Sequence, residues 1–178
     1  EVKRIFGEAV SINVNLSPHQ LKNSALTNEL VLLAEKKPSV MNNLILEVTE
    51  NVLINDASVD RIYKLRKAGY RIALDDFGTG FSSLSHIARM PIDILKIDQS
   101  FIRNLPNNAD DAQITRTIIS MAHNLGLGVI AEGVETEQQL KFLQQVECEE
   151  IQGFYLSKPL PEPKLLEYMQ KKELSKLS

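Results

Sequence analysis

Tryptophan is absent from this 178-residue sequence and cysteine occurs once. A lone Cys148 cannot form an internal disulfide, so packing must hold the fold together and nothing points to an oxidising compartment. No stretch approaches the roughly 20 apolar residues of a membrane span, which excludes a helical membrane bundle. Basic excess is missing as well: 20 Lys and Arg stand against 23 Asp and Glu, a formal charge of −3, so an electrostatic nucleic-acid binder is not indicated. Glu1-Val2-Lys3-Arg4 has no pattern of a secretory leader, and a cytoplasmic setting is expected, either free or as the cytoplasmic part of a membrane-anchored protein. No G-x-G-x-x-G or G-x-x-x-x-G-K-[ST] follows any strand candidate, so a nucleotide-binding open sheet has no local support.

What is present is the balance of an ordinary globular domain, 43% hydrophobic and 24% charged, in a chain long enough for one core. Short β-branched runs recur at Val10–Asn15, Leu44–Val48, Arg71–Asp75, Ile92–Ile97, Gly128–Glu132 and, more weakly, Ile151–Gly153. Amphipathic stretches lie between them. Ser17-Pro18-His19-Gln20 offers a cap, a first-turn proline and a capping-box partner for a helix to about Lys36. Asp56 or Ser58 can cap the next, with Val59, Ile62, Tyr63 and Leu65 as its apolar stripe and Gly69 as its stop. Asp110 to Leu125 carries Ile114, Ile118, Met121 and Ala122 at helical spacing. Thr136 and Gln139 form a capping box for a helix through Val146, and Pro161-Glu162-Pro163 precedes a last helix. Alternating strands and helices predict an α/β fold with a parallel sheet. An open doubly wound sheet and a closed barrel both fit that pattern.

Polar residues cluster where strands end. Asn15, Glu47, Asp75-Asp76, Lys96 with Asp98, Glu132 and Gln152 each close a strand candidate, with Glu50 and Glu135 three residues beyond theirs. In a parallel barrel all those ends meet at one mouth. So many carboxylates need cations, and hard oxygen ligands without His or Cys favour Mg2+ or Mn2+ over zinc. Neighbouring aspartates suit a two-metal site, a standard device for in-line phosphoryl displacement. Each residue also has a plain reading: Asp75-Asp76 can end a strand in a turn, and Glu47 or Glu132 can favour a helix N-terminus. Lys96 can be an edge lysine, and Gln152 a simple hydrogen-bonding residue. The three histidines read as ordinary surface or helix residues and Cys148 as a small, partly buried one.

The motifs taken together resemble those of the EAL-domain phosphodiesterases of bacterial cyclic di-GMP signalling. Asn15-Leu16-Ser17 is similar to the family's N-L-S, Glu47-Val48-Thr49-Glu50 to its E-x-T-E, and Asp75-Asp76-Phe77-Gly78-Thr79-Gly80-Phe81-Ser82-Ser83-Leu84 to its D-D-F-G-T-G loop. Lys96-Ile97-Asp98, Glu132-Gly133-Val134-Glu135-Thr136 and Gln152-Gly153 follow in the family's order. The resemblance implies a TIM-like barrel that hydrolyses cyclic di-GMP to linear pGpG with two Mg2+ or Mn2+ ions, inhibited by Ca2+. It assigns Asn15, Glu47, Asp75 and Glu132 to metal coordination, with Asp76 on the second ion. Lys96, Glu132 and Gln152 would act on the attacking water. Asp98 would pair with Lys96, Glu50 would brace the Phe77–Ser83 loop, and Glu135, Thr79 and Gly80 would lie close to the substrate. The resemblance further implies a homodimer through that loop and an attached sensor or GGDEF-type domain, with no nucleic-acid polymer as partner.

No Glu-Ala-Leu tripeptide, the motif that names the family, occurs in these 178 residues. A complete barrel takes roughly 250 residues, so an N-terminally incomplete barrel is expected, with one metal ligand absent and an apolar flank that promotes self-association. Two other readings stand beside hydrolysis. One is a domain that binds cyclic di-GMP without cleaving it. The other is a Schiff-base aldolase using Lys96, which Asp98 on the same strand face would oppose by keeping the amine charged.

Overall fold

The computed structural model describes residues 11–41, 43–54, 56–78 and 87–176. The expected strand start at Val10, and Thr79, Gly80 and the rest of the loop through Ser83, lie outside them. Six parallel strands form one sheet: β1 (Ile12–Asn15), β2 (Leu44–Thr49), β3 (Arg71–Phe77), β4 (Ile94–Ile97), β5 (Gly128–Ala131) and β6 (Glu150–Ile151). Their order in the sheet is their order in the chain. Among the described residues there is no point where the order reverses, as a doubly wound sheet requires. Sequential parallel winding is the barrel arrangement, which separates the two architectures that the sequence pattern left open.

Alternation along the strands sorts side chains into two layers. Leu46, Val48, Ile72, Leu74, Leu95, Ile97, Val129 and Ala131 join the large core between sheet and helices. Ile45, Ala73, Ile94 and Ile130 form a separate small cluster on the other face. Two residues beyond each of these four comes Glu47, Asp75, Lys96 or Glu132. An apolar floor thus sits directly beneath the polar ring, and strand period alone puts it there.

The helices follow local capping chemistry. Ser17 accepts from the Gln20 backbone N–H, and the Gln20 side chain returns the bond. The single helix expected to Lys36 is in fact two, α1 (Pro18–Lys22) and α2 (Ser24–Lys36). Asn23 breaks it by closing the first and capping the second, accepting from the Ala25 and Leu26 amides. A short α3 (Pro38–Met41) leads into β2, and a 3-10 helix (Glu50–Ile54) leaves it. In α4 (Asp56–Lys67) Ile62 and Leu65 are buried as expected, but Tyr63 is exposed and its hydroxyl donates to the Arg89 carbonyl. Asp98 caps the short α5 (Gln99–Ile102). In α6 (Ala109–Asn124) the buried face is Thr115, Ile118, Ile119 and Ala122, while Ile114 turns outward. Thr136 and Gln139 make the expected capping box of α7 (Glu137–Gln145), and α8 (Glu162–Lys176) ends the described chain.

The strand N-terminal side is held by carboxylates that accept sheet amides. Asp93 Oδ2 accepts the Ile72 N–H at 2.9 Å while its Oδ1 takes Nε and Nη2 of Arg66. Glu149 accepts the Val129 N–H and lies 2.9 Å from His123 Nε2. Among the described residues no helix is long and apolar enough to cross a membrane.

Candidate active site

The centre of the site is Lys96. Its ammonium lies 2.7 Å from Glu47 Oε1, 2.9 Å from Asp75 Oδ1 and 2.5 Å from Glu132 Oε1. The side chain is only 3% exposed, flanked in sequence by the buried Leu95 and Ile97. Four strands contribute: β2 carries Glu47, β3 Asp75, β4 Lys96, and Glu132 follows β5. Burial alone would lower the lysine pKa, but the bonds to Glu132, Glu47 and Asp75 outweigh it and hold the ammonium charged. Glu132 is pushed above the usual carboxylate range by burial, which Lys96 only partly offsets.

Asp76 reaches the same mouth by a backbone device. Consecutive strand residues point to opposite faces, so Asp75 and Asp76 could not share one in a regular strand. The β3–β4 register shifts between Leu74 and Phe77, and Asp76 adopts φ 56°. A bulge of this kind re-aims a side chain, and the left-handed conformation is tolerated better by Asp than by most residues. Carboxylate oxygens of Asp75, Asp76 and Glu132 consequently come within 4.8 Å of one another. Asp76 too is shifted above the usual range, by desolvation first and then by the charges of Asp75 and Asp98.

Charge decides what this set can hold. Glu47, Asp75, Asp76 and Glu132 against one lysine leave a formal −3 in a confined mouth. Oxygen donors of this number, without His or Cys, fit hard divalent cations of the Mg2+, Mn2+ and Ca2+ class. The donor chemistry and the spacing therefore suit divalent cations.

Other expected site residues are placed differently. Asn15 stands opposite Glu47 in the β1–β2 register and is exposed. Gln152 lies just beyond β6, exposed, its backbone N–H donating to the Ala131 carbonyl at 2.8 Å. Glu50 is buried at the start of the 3-10 helix. The expected Lys96–Asp98 pair is not formed: the three ion pairs of Lys96 go elsewhere, and Asp98 accepts from the Ser100 amide at 3.0 Å. The chain leaves the strand at Ile97, so the alternation that would have aligned Lys96 and Asp98 ends between them. Asp98 and Glu135 instead line a neighbouring polar cavity of about 380 Å3 with Gln99, Ser100, Arg103 and Gln139. A residue that strand-end reasoning passed over is Asn13, whose Nδ2 donates to Glu47 Oε1 at 2.8 Å. Its signal was available: Asn is poor in strands, yet two occur on one face of the four-residue β1.

Residues 1–159 match the family model of the EAL domain. The cyclic di-GMP phosphodiesterase NbdA of Pseudomonas aeruginosa is 41% identical over 165 residues, covering 92% of this chain and 21% of NbdA. The chain thus spans about a fifth of the curated relatives it matches. MucR of the same organism, named a bifunctional diguanylate cyclase/cyclic di-GMP phosphodiesterase, is 40% identical over 158 residues, 88% of this chain and 23% of MucR. The solved PaMucR phosphodiesterase–c-di-GMP complex superposes with a TM-score of 0.80 at 40% identity, over 87% of this chain and 64% of that one. The manganese/cyclic di-GMP complex of Klebsiella pneumoniae BlrP1 gives a TM-score of 0.73 at 30% identity, over 84% and 39%.

Proposed function

From the premise that this chain belongs to the EAL-domain family, we propose that it is the catalytic part of a divalent-metal-dependent phosphodiesterase that hydrolyses cyclic di-GMP to linear pGpG. The observation that carries the reading is the ring of Glu47, Asp75 and Glu132 around the buried Lys96, with Asp76 bulged into the same mouth. The phosphodiesterase names of NbdA and MucR, and the cyclic di-GMP held by the PaMucR and BlrP1 structures, support the substrate.

Asn15, Glu47, Asp75 and Glu132 would hold one cation and Asp76 would serve the second, with Mg2+ or Mn2+ as the working metal and Ca2+ as an inhibitor. Such cations, when bound, supply positive charge at the phosphodiester and lower the pKa of water. Water adds to one phosphorus, the bond to the ribose 3′ oxygen breaks, and that oxygen leaves with a proton. Lys96 cannot easily give up its proton among three carboxylates, so its part is that of a fixed positive donor, held by burial and ion pairs and aimed at oxygen charge that grows during attack. Gln152 would hold water through its amide. Glu132, beside Lys96 at the same mouth, would also act on the attacking water.

Asp98, Glu135, Thr79 and Gly80 belong to the substrate wall in this reading, and Glu50 to the support of the Phe77–Ser83 loop. A second copy meeting at that loop and a sensor or GGDEF-type domain elsewhere in the polypeptide complete it, in a cytoplasmic setting. The test is chromatographic separation of pGpG from cyclic di-GMP after incubation of the full-length protein with Mn2+. Product from the wild type and none from Asp75→Ala is the expected result; equal turnover in both sinks the proposal. Tight nucleotide binding by calorimetry without any product would instead identify a receptor.

A further inference from the structure

We propose that Asn13 is a positioning residue for Glu47, fixing which of its two carboxylate oxygens is left to face a cation. This deepens the metal-dependent reading above and rests on it. Asn13 Nδ2 donates to Glu47 Oε1 at 2.8 Å, a bond between residues 34 apart in the chain. The same oxygen lies 2.7 Å from Lys96 Nζ. A carboxylate oxygen offers about two lone-pair directions, and on Oε1 both are engaged, one from the edge strand β1 and one from β4. Oε2 is then the oxygen with its lone pairs to give.

The two donors do different work. Lys96 is shared among three carboxylates as one compact point charge, so it sets the charge of the cluster without choosing an orientation for any one of them. The Asn13 amide is planar, neutral and anchored by a strand whose register against β2 is fixed over Ile12–Asn15. It therefore locks the Glu47 rotamer and leaves the charge of the cluster unchanged. Hydrogen bonds of this kind behind a ligating carboxylate are worth about 10–100-fold in metal affinity.

The experiment is Mn2+ binding to the nucleotide-free full-length protein, read by the loss of the free Mn2+ resonance signal in titrations of wild type, Asn13→Ala and Asn13→Gln. Asn13→Ala is expected to weaken Mn2+ binding about tenfold or more, with an unchanged circular-dichroism spectrum and an unchanged melting temperature in EDTA. Asn13→Gln, which keeps an amide donor, should recover part of the loss. In turnover, kcat at saturating Mn2+ should stay near wild type while the Mn2+ concentration for half-activity rises. A Glu47→Gln background isolates the contact: there, adding Asn13→Ala should change Mn2+ affinity no further. Wild-type affinity in Asn13→Ala, or an equal added loss in the Glu47→Gln background, overturns the inference alone. A wild-type protein that takes up no Mn2+ overturns the metal reading and this inference together.

Discussion

Lys96 Nζ lies 2.5 Å from Glu132 Oε1, and the lysine that makes this contact is buried on a strand flanked by two others in the same sheet. Two further carboxylates, Glu47 and Asp75, converge on the same ammonium. Removing that one cation leaves three buried or half-buried negative charges facing each other. Lys96→Met should therefore destabilise the metal-free protein by about 3–5 kcal/mol, the scale for breaking a buried ion pair. Added Mn2+ should return part of that stability, since it supplies the missing positive charge. Urea unfolding in EDTA and in Mn2+ checks both, and a variant as stable as wild type in EDTA would contradict the account.

On the opposite side of the sheet, Asp93 accepts the Ile72 amide with one oxygen and Arg66 with the other. Ile72 is fully buried, so its N–H has no water to turn to. Asp93→Ala should cost about 1–3 kcal/mol through that orphaned donor. Arg66 is 48% exposed, and Arg66→Ala should cost no more than about 1 kcal/mol. Denaturant midpoints of the two variants check the order; an equal loss would show the ion pair, not the amide, to be the important bond.

Gly153 follows Gln152 where the chain packs on Val134. A Cβ at Gly153 would run into the backbone carbonyl oxygen and nitrogen of Val134. Backbone cannot swing aside as a side chain can, so Gly153→Ala should cost at least about 1–3 kcal/mol by overpacking and should depress turnover by displacing Gln152. Gly128→Ala is the control: its nearest neighbours lie at 3.9 Å and its φ is ordinary, so it should change stability by less than about 1 kcal/mol. Thermal melts of the pair, with turnover alongside, are the measurement.

Burial pushes the Cys148 thiol up to about 11 from its ordinary 9.0. The folded thiol thus keeps its proton where an unfolded one has lost it. Its contribution to stability is fully present below pH 9.0 and declines as pH rises toward about 11, because the unfolded state ionises first. Iodoacetamide at pH 8 should label Cys148 slowly in the native protein and rapidly in urea. Mass spectrometry of the labelled chain reads this directly; equal rates in the two states would refute it.

Much of the fold is legible in the sequence. Strand period sorted Ile45, Ala73, Ile94 and Ile130 from their neighbours, and the same period put Glu47, Asp75, Lys96 and Glu132 two residues further on. Capping chemistry at Ser17 and Thr136 is local and was readable for that reason. Asn23 shows the limit of such reading, since a cap that also ends a helix looks like an ordinary helix residue until the turn is seen.

The chain's own chemistry therefore determined which residues are polar, which face of each strand they share and which cations such oxygens accept. Tertiary structure decided how they meet. The bulge at Asp76, the sharing of Lys96 among three carboxylates and the bond from Asn13 to Glu47 all depend on registers between strands. A period of two forbids a one-residue slip but leaves the offset of one strand against the next open by steps of two residues. That offset is fixed only when the whole sheet packs, and the site's geometry is fixed with it.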